Sequence, residues 1–400
     1  MKFQTLLSLA AWLLASLAVP LNATAQQISV RHRWVGPARY TVTDFGTLAG
    51  GNFSQPFFIT KNGHVSGMST MTGGSTHGVV WAGGQASDLG TLGGLNSIAF
   101  GENEHGQTAG EAETSASDPN GEDFCGFGTH LICLPFKSAN GVMNPLPTLG
   151  GNNGAVNMIN SRGTAVGFAE TSVPDAACPA PQVFHFLPAV WRNGKVHRLP
   201  TYQGDPDGLA LAINDRGQIV GSSGTCTTFQ PIALNNLMGV HPILWENGKP
   251  IDLGNLGGTT GAAGGNIAWN LNNRGQVIGV SDLAGDTAFH AFLWTRATGM
   301  KDLGTLPGDT YSMGSGINDE GDIVGVSLDQ NFNGRAFLWH KGRITDLNAL
   351  IPANSPIFLF AGCSINENGE ITGLGVTSSG EFHAYLLTPT HVNEESKGLE

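Results

Sequence analysis

The stretch Ala212-Ile213-Asn214-Asp215-Arg216-Gly217-Gln218-Ile219-Val220-Gly221 reads as the end of one short strand, a tight turn and the start of a second strand. Asn opens such a turn by hydrogen-bonding its own backbone, and Gly supplies the positive φ that closes it. Related phrases run from Ile59 to Gly67, Glu102 to Gly110, Ile159 to Gly167, Leu271 to Gly279, Ile317 to Gly325 and Ile365 to Gly373. A spacing of roughly 45 to 55 residues predicts a repeat architecture built from small β units.

Working outward, each phrase is preceded by Ala, Gly and Ser, as in Ala210 with Ala212 or Gly314 with Gly316, and followed by a third strand, clearest as His290-Ala291-Phe292-Leu293-Trp294. A turn such as Asn247-Gly248 leads to a fourth strand carrying Asp-Leu-Gly, as at Asp252 and Asp302. Four strands per unit, each bounded by Gly or Asn, predict a propeller blade. The small-residue strand belongs nearest the axis, where the blades converge and space is least. Tyr40 to Gly46 reads as a fourth strand with no blade before it, and His383 to Leu387 as a third strand with no fourth after it. Pairing the two removes both free sheet edges. The expected fold is therefore an all-β, seven-bladed β-propeller over residues 40–390, closed by the amino-terminal strand.

His-Ala-Phe-Leu-Trp, Asp-Leu-Gly-Thr-Leu-Gly-Gly and Ile-Asn-Asp-x-Gly, recurring in fixed order from Tyr40 to Thr388, resemble the bacterial extracellular HAF-repeat family. The resemblance implies export and a repeat β fold, and it carries no activity or site residue across. The second and third units depart from the pattern, with Pro145 and Arg198 where Asp is expected.

Residues 1–25 read as a secretory signal peptide: Lys2, an apolar stretch from Leu6 to Val19, then Ala23-Thr24-Ala25 before the cleavage point. That stretch is shorter than the roughly 18 residues a spanning helix needs, so no transmembrane segment is expected in the mature chain. Residues 26–39 read as a linker and 391–400 as a flexible tail. With 31 acidic and 19 basic residues, a formal charge of −12 and no Lys/Arg cluster, the chain has no electrostatic source for nucleic-acid binding. A monomer is expected.

The recurring His77, His185, His241, His290 and His383 fall one per blade, too far apart for a shared metal whose ligands sit roughly 2 Å from one ion. Each is expected to hydrogen-bond within its blade, and Asp44, Asp88, Asp252, Asp302 and Asp346 to accept backbone N–H groups at the turn that follows. Asn160, Asn214, Asn318 and Asn366 are assigned to the hairpin turns on the same grounds. Repetition argues scaffold, so function belongs where the copies differ.

Long insertions fill the loop between second and third strands in three consecutive units, Glu111 to Gly128, Ala169 to Gln182 and Ser222 to Gly239. Strand alternation places all three on one face, as a recognition surface for an extracellular protein or glycan. Their cysteines allow Cys125–Cys133 and Cys178–Cys226 bridges in an oxidising compartment, leaving Cys363 as a small buried hydrophobe. No cofactor is expected. The candidate metal loop is Asp329, Asn331 and Asn333, with the alternating oxygens of a calcium loop but His340 where the closing Glu belongs; Asp118 to Asp123 is a lesser case. The familiar linear catalytic motifs are missing, so the chain is expected to be a recognition scaffold and not an enzyme. The alternative is a glycan-active hydrolase or lyase using carboxylates such as Glu111, Glu113, Asp205 and Asp207. Two close carboxylates in a deep pocket would favour the enzyme, and an aromatic-lined surface would favour binding.

Overall fold

The computed structural model describes residues 39–139, 141–229, 240–258, 263 and 265–390. The leader, all but the last residue of the linker, the carboxy-terminal tail and residues 230–239 of the third insertion lie outside the described residues. Among the described residues no helix is long and apolar enough to cross a membrane.

Seven four-stranded antiparallel sheets form a ring of blades, at 54–88, 93–145, 150–198, 207–252, 267–302, 311–346 and 357–389. The seventh has only three strands of its own. Its fourth is Tyr40–Asp44, which pairs with Phe382–Pro389 in the register Tyr40↔Pro389 through Asp44↔Tyr385. The fourth strands Val142–Pro145 and Lys195–Arg198 form despite lacking the repeat Asp, because a strand edge is held by backbone groups.

Every innermost strand carries a register shift at the same place, between Pro56 and Phe58, Ala99 and Gly101, Val156 and Met158, Ala210 and Ala212, Ala268 and Asn270, Gly314 and Gly316, and Gly362 and Ser364. Such a bulge leaves one residue unpaired and re-aims its side chain. Here the unpaired residues are Phe57, Phe100, Asn157, Leu211, Trp269, Ser315 and Cys363, and all of them line the axial cavity. The bulge also explains the Gly that ends each repeat phrase. A Cβ on Gly221 would lie 2.1 Å from the Leu209 carbonyl oxygen, and the other six positions are as tight.

Neighbouring blades are tied by asparagine carboxamides. Asn214 Oδ1 accepts the N–H groups of Arg216 and Gln218, closing its own hairpin, while Nδ2 donates to the Asn272 carbonyl of the next blade at 2.9 Å. The same hand-over runs from Asn103 to Asn160, Asn160 to Asn214, Asn272 to Asn318 and Asn318 to Asn366. Asn366 then donates to the Thr60 carbonyl of blade 1 at 3.0 Å, which carries the belt across the closure. Thr60 has no amide to pass on, and that join uses Lys61 N–H donating to Glu104 Oε1 instead. These hairpins occupy the face opposite the insertions, since successive strands reverse direction.

Replacing Asn214 by Ala leaves two turn N–H groups and one carbonyl without partners. We expect a loss of about 2–3 kcal/mol in denaturant unfolding, and about half that for Asn214→Asp, which keeps the two turn acceptors.

Candidate functional site

On the opposite face the repeat His finds a partner within its own sheet in three blades, and that partner is the repeat Asp: His77 with Asp88, His290 with Asp302, and His383 with Asp44 across the closure. The same aspartates accept turn N–H groups from Gly90, Gly304 and Gly46. Blades 3 and 4 differ. His185 Nδ1 lies 3.1 Å from Asp207 Oδ1, at the start of the next blade, and 3.3 Å from Asp175 Oδ2 in the insertion of its own blade. His241 Nδ1 lies 2.9 Å from Asp205 Oδ2, which also accepts the Ser223 hydroxyl.

The loop that supplies Asp205 and Asp207 breaks the pattern. Leu48, Leu92, Leu149, Leu256 and Leu306 share the position held here by Tyr202. The Tyr202 ring lies 5.0 Å from that of His241, its hydroxyl accepts from Gln203 Nε2, and Gln203 has a φ of 48°, where non-glycine residues are uncommon. Tyr202 and its grouping with His241 were missed in the sequence reading. The readable signal was the single departure from Leu at this position. In blade 3 Arg198 stands where the in-blade Asp would be and His185 turns to Asp175 and Asp207, whereas in blade 4 Asp252 is present and caps Gly254 while His241 pairs with Asp205.

The insertions begin as extensions of the second strands, to Ser117 in blade 2 and Pro174 in blade 3, and are stitched to one another. Disulfides join Cys125 to Cys133 and Cys178 to Cys226, the second linking the insertions of blades 3 and 4, and Cys363 is a buried free thiol. Two disulfides fit an oxidising compartment. Glu122 Oε1 accepts N–H groups from Val183 and Phe184, and Asp118 Oδ2 accepts from Asn153 Nδ2, so the blade 2 insertion docks on blade 3.

Most carboxylates here are structural. Glu113 Oε2 accepts from Leu95, Asn96 and the Asn96 side chain, and Glu170 Oε2 repeats this with Asn152 and Asn153. Glu111 and Glu113 are wholly buried. Burial pushes the Glu170 carboxyl up to about 8, with the nearby Glu122 charge adding to the effect. Burial likewise raises Asp207 to about 6, opposed by the hydrogen bond from His185.

The proposed calcium loop is compact but inward-looking: Asp329 Oδ1 accepts N–H groups from Asn331 and Asn333, and Oδ2 accepts from Asn333 Nδ2. Asp118 is engaged in the same way by Asn120 and Glu122. The groups close enough to share an ion lie elsewhere, with ligand atoms of Asp175, His185 and Asp207 within 4.8 Å of one another.

The same face carries aromatic surface. Phe332, half-buried at a φ of 61°, stacks on Tyr311 with ring centroids 5.1 Å apart and planes 4° from parallel, and Tyr311 stacks on Phe289. Phe124, Phe168 and Phe186 form a second run beneath the insertions.

No protein-family model matches the chain. No curated protein matches it. Among solved structures, the β-propeller domain of the trilobed protease from Pyrococcus furiosus is similar over 88% of this chain and 99% of that one, at 9% identity and a TM-score of 0.50. An ulvan lyase from a polysaccharide lyase family is similar over 88% of this chain and 96% of its own, at 11% identity and a TM-score of 0.44. A gluconolactonase from Xanthomonas campestris is similar over 89% and 95%, at 9% identity and a TM-score of 0.38. At such identities the likeness concerns the fold alone. The expectation that the chain is not an enzyme is corrected, because it rested on missing linear motifs alone. Missing linear motifs exclude nothing in a fold whose sites are assembled from several blades.

An unfolded Glu170 loses its proton near pH 4.5, whereas the folded residue holds it to about 8. Between those values the folded chain binds the extra proton, so stability falls as pH rises through the window. The melting temperature should therefore decline from pH 5 to 8, and Glu170→Gln should flatten that slope in calorimetric scans.

Proposed function

We propose that the chain is an exported HAF-type repeat propeller whose inserted face acts on acidic glycans by elimination. The observation that carries this reading is the convergence of Tyr202 and His241, two proton-transferring side chains, at the one linking loop where Tyr replaces the repeat Leu. His241 is oriented through Nδ1 by Asp205, and Nε2 takes no hydrogen bond among the described residues. An imidazole so held is equipped for general acid–base work. In the reaction His241 takes the proton beside a uronate carboxyl group, that electron pair forms the new C=C bond, and the glycosidic C–O bond breaks as Tyr202 O–H protonates the leaving oxygen. The stacked Tyr311 and Phe332 rings offer a flat apolar surface suited to the faces of sugar rings.

Hydrolysis by a carboxylate pair fits less well. The close pair, Asp175 and Asp207, has ligand oxygens within 4.8 Å, too close for the roughly 6.5–9.5 Å of an inverting pair, and although a retaining pair stands at roughly 5–5.5 Å, both carboxylates here are turned onto one His nitrogen. Export is supported by the leader-like amino terminus and by the two disulfides.

The mature chain should release unsaturated uronyl products, read by ultraviolet absorbance, from at least one uronate polysaccharide in a panel. His241→Asn and Tyr202→Phe should each lower kcat roughly 10²- to 10⁴-fold while leaving the melting temperature near that of the native chain. No product across the panel, or full activity in both variants, would count against the reading.

A further inference from the structure

We propose that Asp175, His185 and Asp207 form a divalent metal site of the zinc type, clamping the blade 3 insertion to blade 4. The three ligand atoms come from separate elements: a turn of the insertion, the third strand of blade 3 and the first strand of blade 4. Their spacing is that of a coordination shell. Metal–ligand bonds of about 2.0–2.1 Å in a tetrahedron set ligand atoms about 3.3–3.4 Å apart. The two distances from His185 Nδ1 are 3.1 Å to Asp207 Oδ1 and 3.3 Å to Asp175 Oδ2.

Hydrogen bonding alone does not satisfy this cluster. Nδ1 carries at most one proton, so it can donate to one of the two carboxylates and not to both. Asp175 Oδ2 also lies 3.4 Å from Cys178 Sγ, but that sulfur is in a disulfide and has no proton to give. Asp207 is wholly buried, and its Oδ2 has no hydrogen-bond partner. Burying two carboxylates around one imidazole nitrogen is costly unless a cation is shared among them. A metal at the centre of the three takes His185 Nδ1, Asp175 Oδ2 and Asp207 Oδ1 as ligands at once, with Asp207 Oδ1 also accepting the Phe186 N–H, and a His with two carboxylates suits Zn²⁺ or Mn²⁺ better than the all-oxygen shell of Ca²⁺. The fourth position of a tetrahedral ion stays open to water or to an anionic oxygen.

Metal binding does not depend on the catalytic reading and is measured without substrate. Mature chain stripped with EDTA is titrated with Zn²⁺ by calorimetry, with Ca²⁺ as comparison, and metal content is read after dialysis. The expected result is one Zn²⁺ per chain with a raised melting temperature, and affinity weakened about tenfold or more in His185→Ala and Asp207→Asn. Glu170→Gln, outside the cluster, should bind as the native chain does. Should either ligand variant fail to fold, Co²⁺ substitution of the native chain reads the site directly through the intense visible absorption of a four-coordinate ion. Absence of stoichiometric Zn²⁺ in the native chain, unchanged affinity in folded ligand variants, or a six-coordinate Co²⁺ spectrum would overturn the proposal.

Discussion

In six of the seven blades one asparagine carboxamide does two jobs at once, and the ring depends on both. Its oxygen fixes the hairpin between first and second strands, and its nitrogen reaches the backbone of the neighbouring hairpin. Because a hairpin out of shape mispoints the donor, local turn geometry and blade-to-blade spacing are coupled. The last carboxamide, from Asn366 to Thr60, spans the join between sequence ends, where strand Tyr40–Asp44 also completes the seventh sheet. Closure is thus held at the hairpins and along a full strand, which gives the seventh sheet the same four strands as the other six.

Much of this was readable from residue types. The Asn and Gly of the repeat phrase marked the turns, and the unmatched strands at either end marked the closure. The bulge in each innermost strand was not readable, although its trace was present in the sequence as the terminal Gly. That Gly is demanded by a carbonyl pressed into the space of its missing side chain, for instance Leu209 against Gly221. A strand Gly can mean a bulge, a bend or weak packing, so the residue alone does not choose among them.

The chemistry was legible only in outline. Comparing copies pointed to the inserted face, but it treated every repeat His as equivalent. His185 and His241 differ from His77, His290 and His383 through partners contributed by a linking loop, and those partners are set by three-dimensional proximity. Arg198 and Tyr202 were the visible clues: one removes the usual acceptor of His185 and the other inserts a phenol where a Leu normally sits. The two cysteine bridges are among those the sequence allows, but spacing does not choose between the possible pairings, and the structure does. Carboxylate roles were not, since Glu113 and Glu170 cap backbone amides while Asp205 and Asp207 orient imidazoles.

The account rests on Tyr40–Asp44 being part of the seventh sheet and not a loosely attached terminus, and amide hydrogen exchange reads this residue by residue. Amides of residues 41–44 engaged in the ladder should exchange with the slow cohort of residues 384–387 and be released together with them as denaturant is raised. Exchange of residues 41–44 at the rates of an unstructured segment, while 384–387 stay protected, would contradict a ring closed by this strand.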